Sequence, residues 1–307
     1  MKGFSYDSTA TNFAHGIAPD YTRALAEIMA PQCVQPAAAG QFIKFDDDAA
    51  FRYLDTRRAL GGDMTMIDFP AGAPKFNCDP HAIGIATDAF EKQRVGDAGL
   101  PMLREAKIRT LVSRNALSRE QRVYQAYADG VAAEDGLGVW ASAAVDPIDE
   151  LNQIVCGVAT ETGNPAIHLV IALNVLQQLG KHPKVLARMP GAALITVTAE
   201  VIGKMLQVPC TVHVGMMPIV LQKEGKAGTK GVIGAGKVYA LLSQSNPSPF
   251  DPSAAKTFTT KLGQVDGVGF VDRPPFSEIN FMSWSEEIQI TGAKCVKRID
   301  ATLGAIA

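Results

Sequence analysis

Apolar positions recur along residues 100–129, LPMLREAKIRTLVSRNALSREQRVYQAYAD, with the spacing of a helix face. Ile108, Leu111 and Val112 form one group, and Val123, Tyr124, Tyr127 and Val131 the next. Pro101 suits a first helical position, where its missing N–H costs nothing, and no Gly or Pro follows until Gly130. A helix of roughly thirty residues spans about 45 Å, longer than a small domain is wide. The run 113–118, SRNALS, is a weak helix former in the middle and the place where a bend is expected.

The other elements follow from shorter patterns. Residues 1–40 read as an extended arm with a short helix over 21–29, ended by Pro31. Strand-like pieces at 41–44, 75–78 and 83–86 flank turn signals at Gly61-Gly62-Asp63 and at PAGAP, 70–74, which predicts a long hairpin. Its few apolar residues cannot hold it alone, because an isolated hairpin is marginal in water. A Gly-punctuated strand region is expected at 136–145, and a helix after Asp146-Pro147. Asn164 before Pro165 predicts a helix through PAIHLVIALNVLQQLG, and Thr196 or Thr198 caps another near 194–206. Strands are expected at 211–214, 219–221, 238–242, 270–272, 279–281, 287–291 and 295–299, with a proline-rich loop over 245–256.

Composition narrows the function. Hydrophobic and charged fractions of 47% and 20% are those of a folded chain. A net charge of −2 argues against a protein that grips nucleic acid through a basic face. No apolar run reaches the length of a membrane span, and residues 1–16 lack the apolar core of a secretory signal. Five well-separated cysteines, Cys33, Cys78, Cys156, Cys210 and Cys295, fit neither a disulfide framework nor a metal knuckle and read as reduced thiols.

Candidate chemistry is sparse. Residues 231–237, GVIGAGK, run from Gly231 to Lys237 and match the phosphate-cradling loop as far as its lysine. That loop then needs Ser or Thr and a following helix, whereas Val238 opens an apolar strand. A Gly-rich bend between strands is expected instead. None of the histidines (His15, His81, His168, His182, His213) forms a pair at metal-ligand spacing, and His182 sits at a helix end favoured by the carbonyl dipole. Asp46, Asp47 and Asp48 read as a solvated charge cluster rather than a cation site. No nucleophile elbow or paired carboxylate is visible, so no catalytic residue, cofactor or metal is expected.

Taken together and in order, several stretches resemble the major capsid proteins of tailed bacteriophages, whose fold is shared with encapsulins and the shell floor of herpesviruses. They are AGQFIKFDDDAAFR with DTRRALGG, KFNCDPHAIGIATDAF before the long helix, LQQLGKHPKV, LITVTAEVIGKMLQVP with TVHVG, and the closing EEIQITGAKCVKRIDATLGAIA. The resemblance covers the whole chain. It implies an α+β fold with an N-terminal arm (1–38), an extended hairpin loop (39–93), a peripheral domain with a spine helix (94–150 and 281–307) and an axial domain (151–280). It also implies hexamers and pentamers of this chain forming an icosahedral virion shell around double-stranded DNA, assembled in the host cytoplasm. Scaffolding, portal or decoration proteins are the implied partners, with only non-specific contact to DNA and none to a membrane. The long N-terminal extension of some relatives is not seen, so a scaffold is separate or removed. Lys44 and Lys75 lie on the segment that some relatives cross-link, without evidence of that chemistry here. Alternatives are an encapsulin-like compartment or a gene-transfer particle, and, from another class, a nucleotide-binding enzyme using the 231–237 loop.

Charge suggests how copies meet. Over 46–63 five acids face Arg52, Arg57 and Arg58, a balance of −2, while over 101–129 six basic residues face three acids, a balance of +3. The hairpin, with Asp46, Asp47 and Asp48, is therefore expected to lie over a neighbour's long helix, meeting Arg109, Arg114 and Arg119.

Overall fold

The computed structural model describes residues 5–17, 25–44, 57, 74–189, 196–220, 228–260, 267–273 and 277–306. In chain order the arm holds β1 (Ser5–Tyr6), α1 (Ser8–Gly16), α2 (Ala26–Met29) and β2 (Gln32–Val34). The hairpin base is β3 (Ala39–Gln41) and β4 (Lys75–Asn77), followed by β5 (Asp79–Asp88) and the long helix α3 (Ala89–Gly130). The middle comprises α4 (Pro147–Thr162), β6 (Ile167–Ala172), α5 (Leu173–Leu179), α6 (Pro183–Ala187), α7 (Ala199–Met205), β7 (Cys210–Gly215), β8 (Pro218–Val220), β9 (Lys230–Val232) and β10 (Lys237–Leu242). Strands β11 (Ala255–Thr259), β12 (Gly267–Arg273), β13 (Ser277–Ile290) and β14 (Val296–Asp300) close the chain.

The helix α3 begins earlier than expected. Asp88 caps it by accepting from the Phe90 N–H at 2.8 Å, and Glu91 in the first turn suits the dipole. Gly96, at φ 68°, breaks the ladder and restarts the helix, so Pro101 lies near a helix start even though it is interior to the whole element. The 113–118 run does not break it; the Ser113 hydroxyl donates back to the Arg109 carbonyl at 3.0 Å.

Two sheets rest against this helix. The larger runs β1-β12-β13-β11-β2, with β5 along the opposite edge of β13. Strand β13 alternates, and its buried Met282 and Trp284 pack on Ile108, Leu111 and Val112 of α3 and on Ala10 and Ala14 of α1. The smaller sheet runs β14-β10-β6-β7, antiparallel except for the parallel β6–β7 pair. Its strands share the main core with Ile148, Leu151, Ile154, Val155 and Val158 of α4. From α3, Tyr124 and Tyr127 meet Tyr239 edge-on, with centroids 6.0 and 5.3 Å away.

The hairpin does have an anchor at its base. Phe76 stacks on Phe258 of β11 at 4.3 Å and Phe42 lies 5.3 Å from the same ring, all three buried with Cys33 and Cys78. The expected hairpin tip, together with Asp46, Asp47, Asp48, Arg52 and Arg58, lies outside the described residues.

Four expectations are corrected. Residues 167–172, IHLVIA, form the buried strand β6 rather than the start of a helix, and only 173–179 is helical. A short apolar run buried on both faces lacks the period that separates strand from helix. Residues 136–145 form turns, with Gly136 and Gly138 at φ 77° and 94°, instead of a strand. The expected strands at 279–281 and 287–291 belong to one 14-residue strand, β13. The proline-rich loop ends before Ala255, where the buried strand β11 starts. The closing segment serves two sheets, β13 in the larger and β14 in the smaller.

The 231–237 loop is the expected bend. Gly234 and Gly236 have φ 69° and 75°, and β10 follows with no helix. A Cβ on Gly234 would lie 2.3 Å from Tyr124 Cε1. Gly234→Ala therefore combines left-handed strain with overpacking and is predicted to cost about 2–5 kcal/mol of stability, read as a lowered urea midpoint.

Candidate functional site

The long helix α3 carries the positive charge that the sequence assigns to a contact between copies. Most of that charge is used internally. Arg104 lies 3.3 Å from Asp7 and 3.7 Å from Glu278, and Lys107 pairs with Glu91 at 2.8 Å. Arg122 bonds Glu286 of β13 and donates to the Ser118 hydroxyl at 2.7 Å.

Arg119, expected on the docking strip, is inside the subunit with 3% of its side chain exposed. Its guanidinium donates to Glu27 at 2.6 Å and to the Ala30 carbonyl at 3.1 Å, and lies 3.9 Å from Glu286. The expectation fails at this residue because the helical period turns position 119 toward α2, and the planar fork finds acceptors there.

Beside it, Glu120 is fully buried and accepts from the Ala26 N–H at 2.7 Å. Burial raises its pKa above the ordinary glutamate range, opposed by the backbone N–H groups of Leu25 and Ala26 and by Arg119. Carboxylate and guanidinium thus hold the two ends of α2 in the sense its dipole favours. The Tyr127 hydroxyl adds a bond to the Met29 carbonyl at 2.6 Å. The Ala30 carbonyl also accepts from the Thr257 hydroxyl of β11 at 2.9 Å.

What remains outward on α3 is a smaller strip. Arg114 is exposed, and exposed Arg109 has its guanidinium carbon 5.2 Å from the centroid of the Phe13 ring. Phe90 and Met102 are exposed by 76% and 75%, and a cleft of about 570 Å³ is lined by residues including Phe13, Leu100, Pro101 and Arg104. Arg57 is exposed.

The structure also unites two residues that spacing kept apart. His168 Nδ1 and His213 Nε2 lie 3.1 Å apart on β6 and β7. Their separation in sequence hides this, and reading 167–172 as helix removed the one cue, the pairing of strands. His182 is buried, its Nε2 3.2 Å from the Ser142 carbonyl, and His81 stacks on Trp284. The five cysteines are free.

No family model matches the sequence, and no curated protein matches it. Solved structures do match. A phage-related protein of Bordetella bronchiseptica superposes with a TM-score of 0.77 at 20% identity, over 99% of this chain and 100% of its own. An encapsulin of Synechococcus elongatus reaches 0.55 at 12% identity, covering 93% and 88% of the two chains. A structure of the satellite phage P4 procapsid reaches 0.52 at 10% identity, covering 99% and 93%. The chain has the phage capsid fold. Within this capsid fold, no group of three or more His, Cys, Asp or Glu side chains able to hold a metal occurs among the described residues. No helix among them is long and apolar enough to cross a membrane.

Two measurements probe the α2–α3 junction. Arg119→Ala leaves Glu27 and Glu286 without their shared cation and is predicted to cost about 3–5 kcal/mol in urea unfolding. Arg114→Ala is predicted to stay within about 0.5 kcal/mol. For Glu120 the folded pKa exceeds the unfolded one, so just above the ordinary glutamate range the folded chain holds more protons. Stability therefore falls as pH rises through that window. Glu120→Gln keeps an oxygen for the Ala26 N–H and is predicted to flatten this fall; superposable pH profiles for the two proteins would contradict it.

Proposed function

We propose that this chain is the major capsid protein of a tailed bacteriophage, a non-enzymatic subunit whose hexamers and pentamers build the icosahedral shell around double-stranded DNA. The observation that carries this reading is the superposition on the phage-related protein at a TM-score of 0.77, over essentially the full length of both chains. In this reading residues 1–38 are the arm, 39–93 the extended loop, 94–150 with 281–307 the peripheral domain, and 151–280 the axial domain. The protein belongs to the virion and assembles in the host cytoplasm with scaffolding, portal or decoration proteins. The near-neutral chain, at −2, suits a wall that contains DNA without holding it.

A cellular compartment of the encapsulin type is the second reading, favoured by the similar TM-scores of the encapsulin and the P4 procapsid, 0.55 and 0.52. Neighbouring portal and terminase genes support the phage, and a cargo-enzyme gene the compartment.

Assembly in either reading places the hairpin of one copy over the neighbour's α3. Arg109 and Arg114 are the outward cations of that helix named for the contact, while Arg119 is committed to its own subunit. Negative-stain microscopy of the purified protein is expected to show closed shells or rings of five or six. Their absence under all assembly conditions would overturn the capsid reading. Arg109→Glu with Arg114→Glu is expected to lower the assembled fraction by about tenfold or more, the effect of roughly 1.4 kcal/mol per contact. An undiminished yield of shells would remove the hairpin contact and leave the capsid reading standing.

A further inference from the structure

The two histidines on β6 and β7 have no part in the shell reading. We propose that His168 and His213 form a two-imidazole site for a transition-metal dication of the zinc or nickel class, with water completing the coordination shell.

The strands place them. In the parallel β6–β7 register His168 is opposite Thr211 and His213 opposite Val170, so the two rings sit one diagonal apart on one face of the sheet. Their centroids are 5.3 Å apart with planes tilted by 33°, and one nitrogen of each ring points at the other across 3.1 Å. A tetrahedral ion about 2.0–2.1 Å from each nitrogen sets the pair about 3.3 Å apart. Small side-chain rotations supply that difference without moving a strand.

The electrostatics favour the ligating form. Burial lowers the pKa of both rings, and for His213 the neighbouring His168 lowers it further. That shift favours the neutral imidazole, the form that ligates, and binding then asks only that each ring carry its proton on the nitrogen facing away from its partner. Imidazole selects zinc, nickel or copper over calcium or magnesium. Cys210 begins the same strand three residues earlier and so alternates to the opposite face. Among the described residues no third acidic, thiol or imidazole group gathers there, and both rings are only half-buried, so water fills the open positions.

An ion here ties the last strand of the four-stranded sheet, β7, to its neighbour β6. Because it binds the folded arrangement, it also raises stability by mass action. Neither effect depends on what the whole protein encloses.

Calorimetric titration of the full chain with nickel chloride, and separately zinc chloride, at pH 7.5 tests the site. About one ion per chain is expected, with at least tenfold weaker binding in His168→Gln and in His213→Gln. Binding unchanged in both variants, or no uptake by the parent protein at about 1 mM ion, would overturn the proposal and leave a simple hydrogen bond. Should either variant misfold by circular dichroism, electron paramagnetic resonance of the copper-loaded parent decides. Nitrogen hyperfine structure from two imidazoles sustains the site, and a signal lacking it rejects the site.

Discussion

The grip of α3 on the short helix α2 is the constraint around which this subunit closes. Arg119 and Glu120 are adjacent on α3, yet they serve opposite ends of a four-residue helix, one donating to the Ala30 carbonyl at its end and the other accepting from the Ala26 N–H at its start. Burying either group without partners would cost several kcal/mol; Arg119 meets Glu27 and the Ala30 carbonyl, and Glu120 accepts the Ala26 N–H through one of its oxygens. The same Arg119 fork reaches Glu27 on the arm and approaches Glu286 on β13, while Thr257 on β11 shares the Ala30 carbonyl. One turn of α3 therefore sets the positions of the arm and both neighbouring strands relative to one another. A purely apolar contact would allow α2 to slide, because hydrophobic burial is not directional.

This internal use of charge changes how the surface should be read. Counted along the chain, α3 is strongly positive. Counted in three dimensions, Asp7, Glu27, Glu91, Glu278 and Glu286 already neutralise most of it. The outward remainder includes Arg94, Arg109 and Arg114 together with the exposed apolar groups Phe90 and Met102. Electrostatic complementarity of this modest size orients a contact more than it strengthens it.

The legible parts of the sequence were those with an unambiguous period or a local cap. The long helix, the Asp146-Pro147 start of α4, the Thr198 cap of α7 and the bend at 231–237 all rest on such signals. What escaped depends on partners far along the chain. IHLVIA has no period because both of its faces are covered, and the loop expected over 245–256 runs into AKTFT, whose strand is evident only once Phe258 is seen against Phe42 and Phe76. The burial of Arg119 was invisible for the same reason. A lone arginine on a charged helix looks solvated, and only α2, folded back across more than eighty residues, makes it a core group.

The topology extends this logic to folding. Strand β1 pairs with β12, β2 with β11, β5 with β13, and β14 returns to β10. The larger sheet joins the first tens of residues to the last third of the chain, so it cannot close until β13 exists. Such non-local pairing is slow, because loop-closure entropy is spent before the contacts form. Until then β5 lacks its partner, and the apolar face of α3 around Ile108 and Leu111 lacks Met282 and Trp284. The buried polar junction favours the correct closure, since a misplaced arm would leave Glu120 and Arg119 desolvated and unpaired. The same few charged groups thus join the arm to α3 in the finished subunit and penalise its misassembled forms.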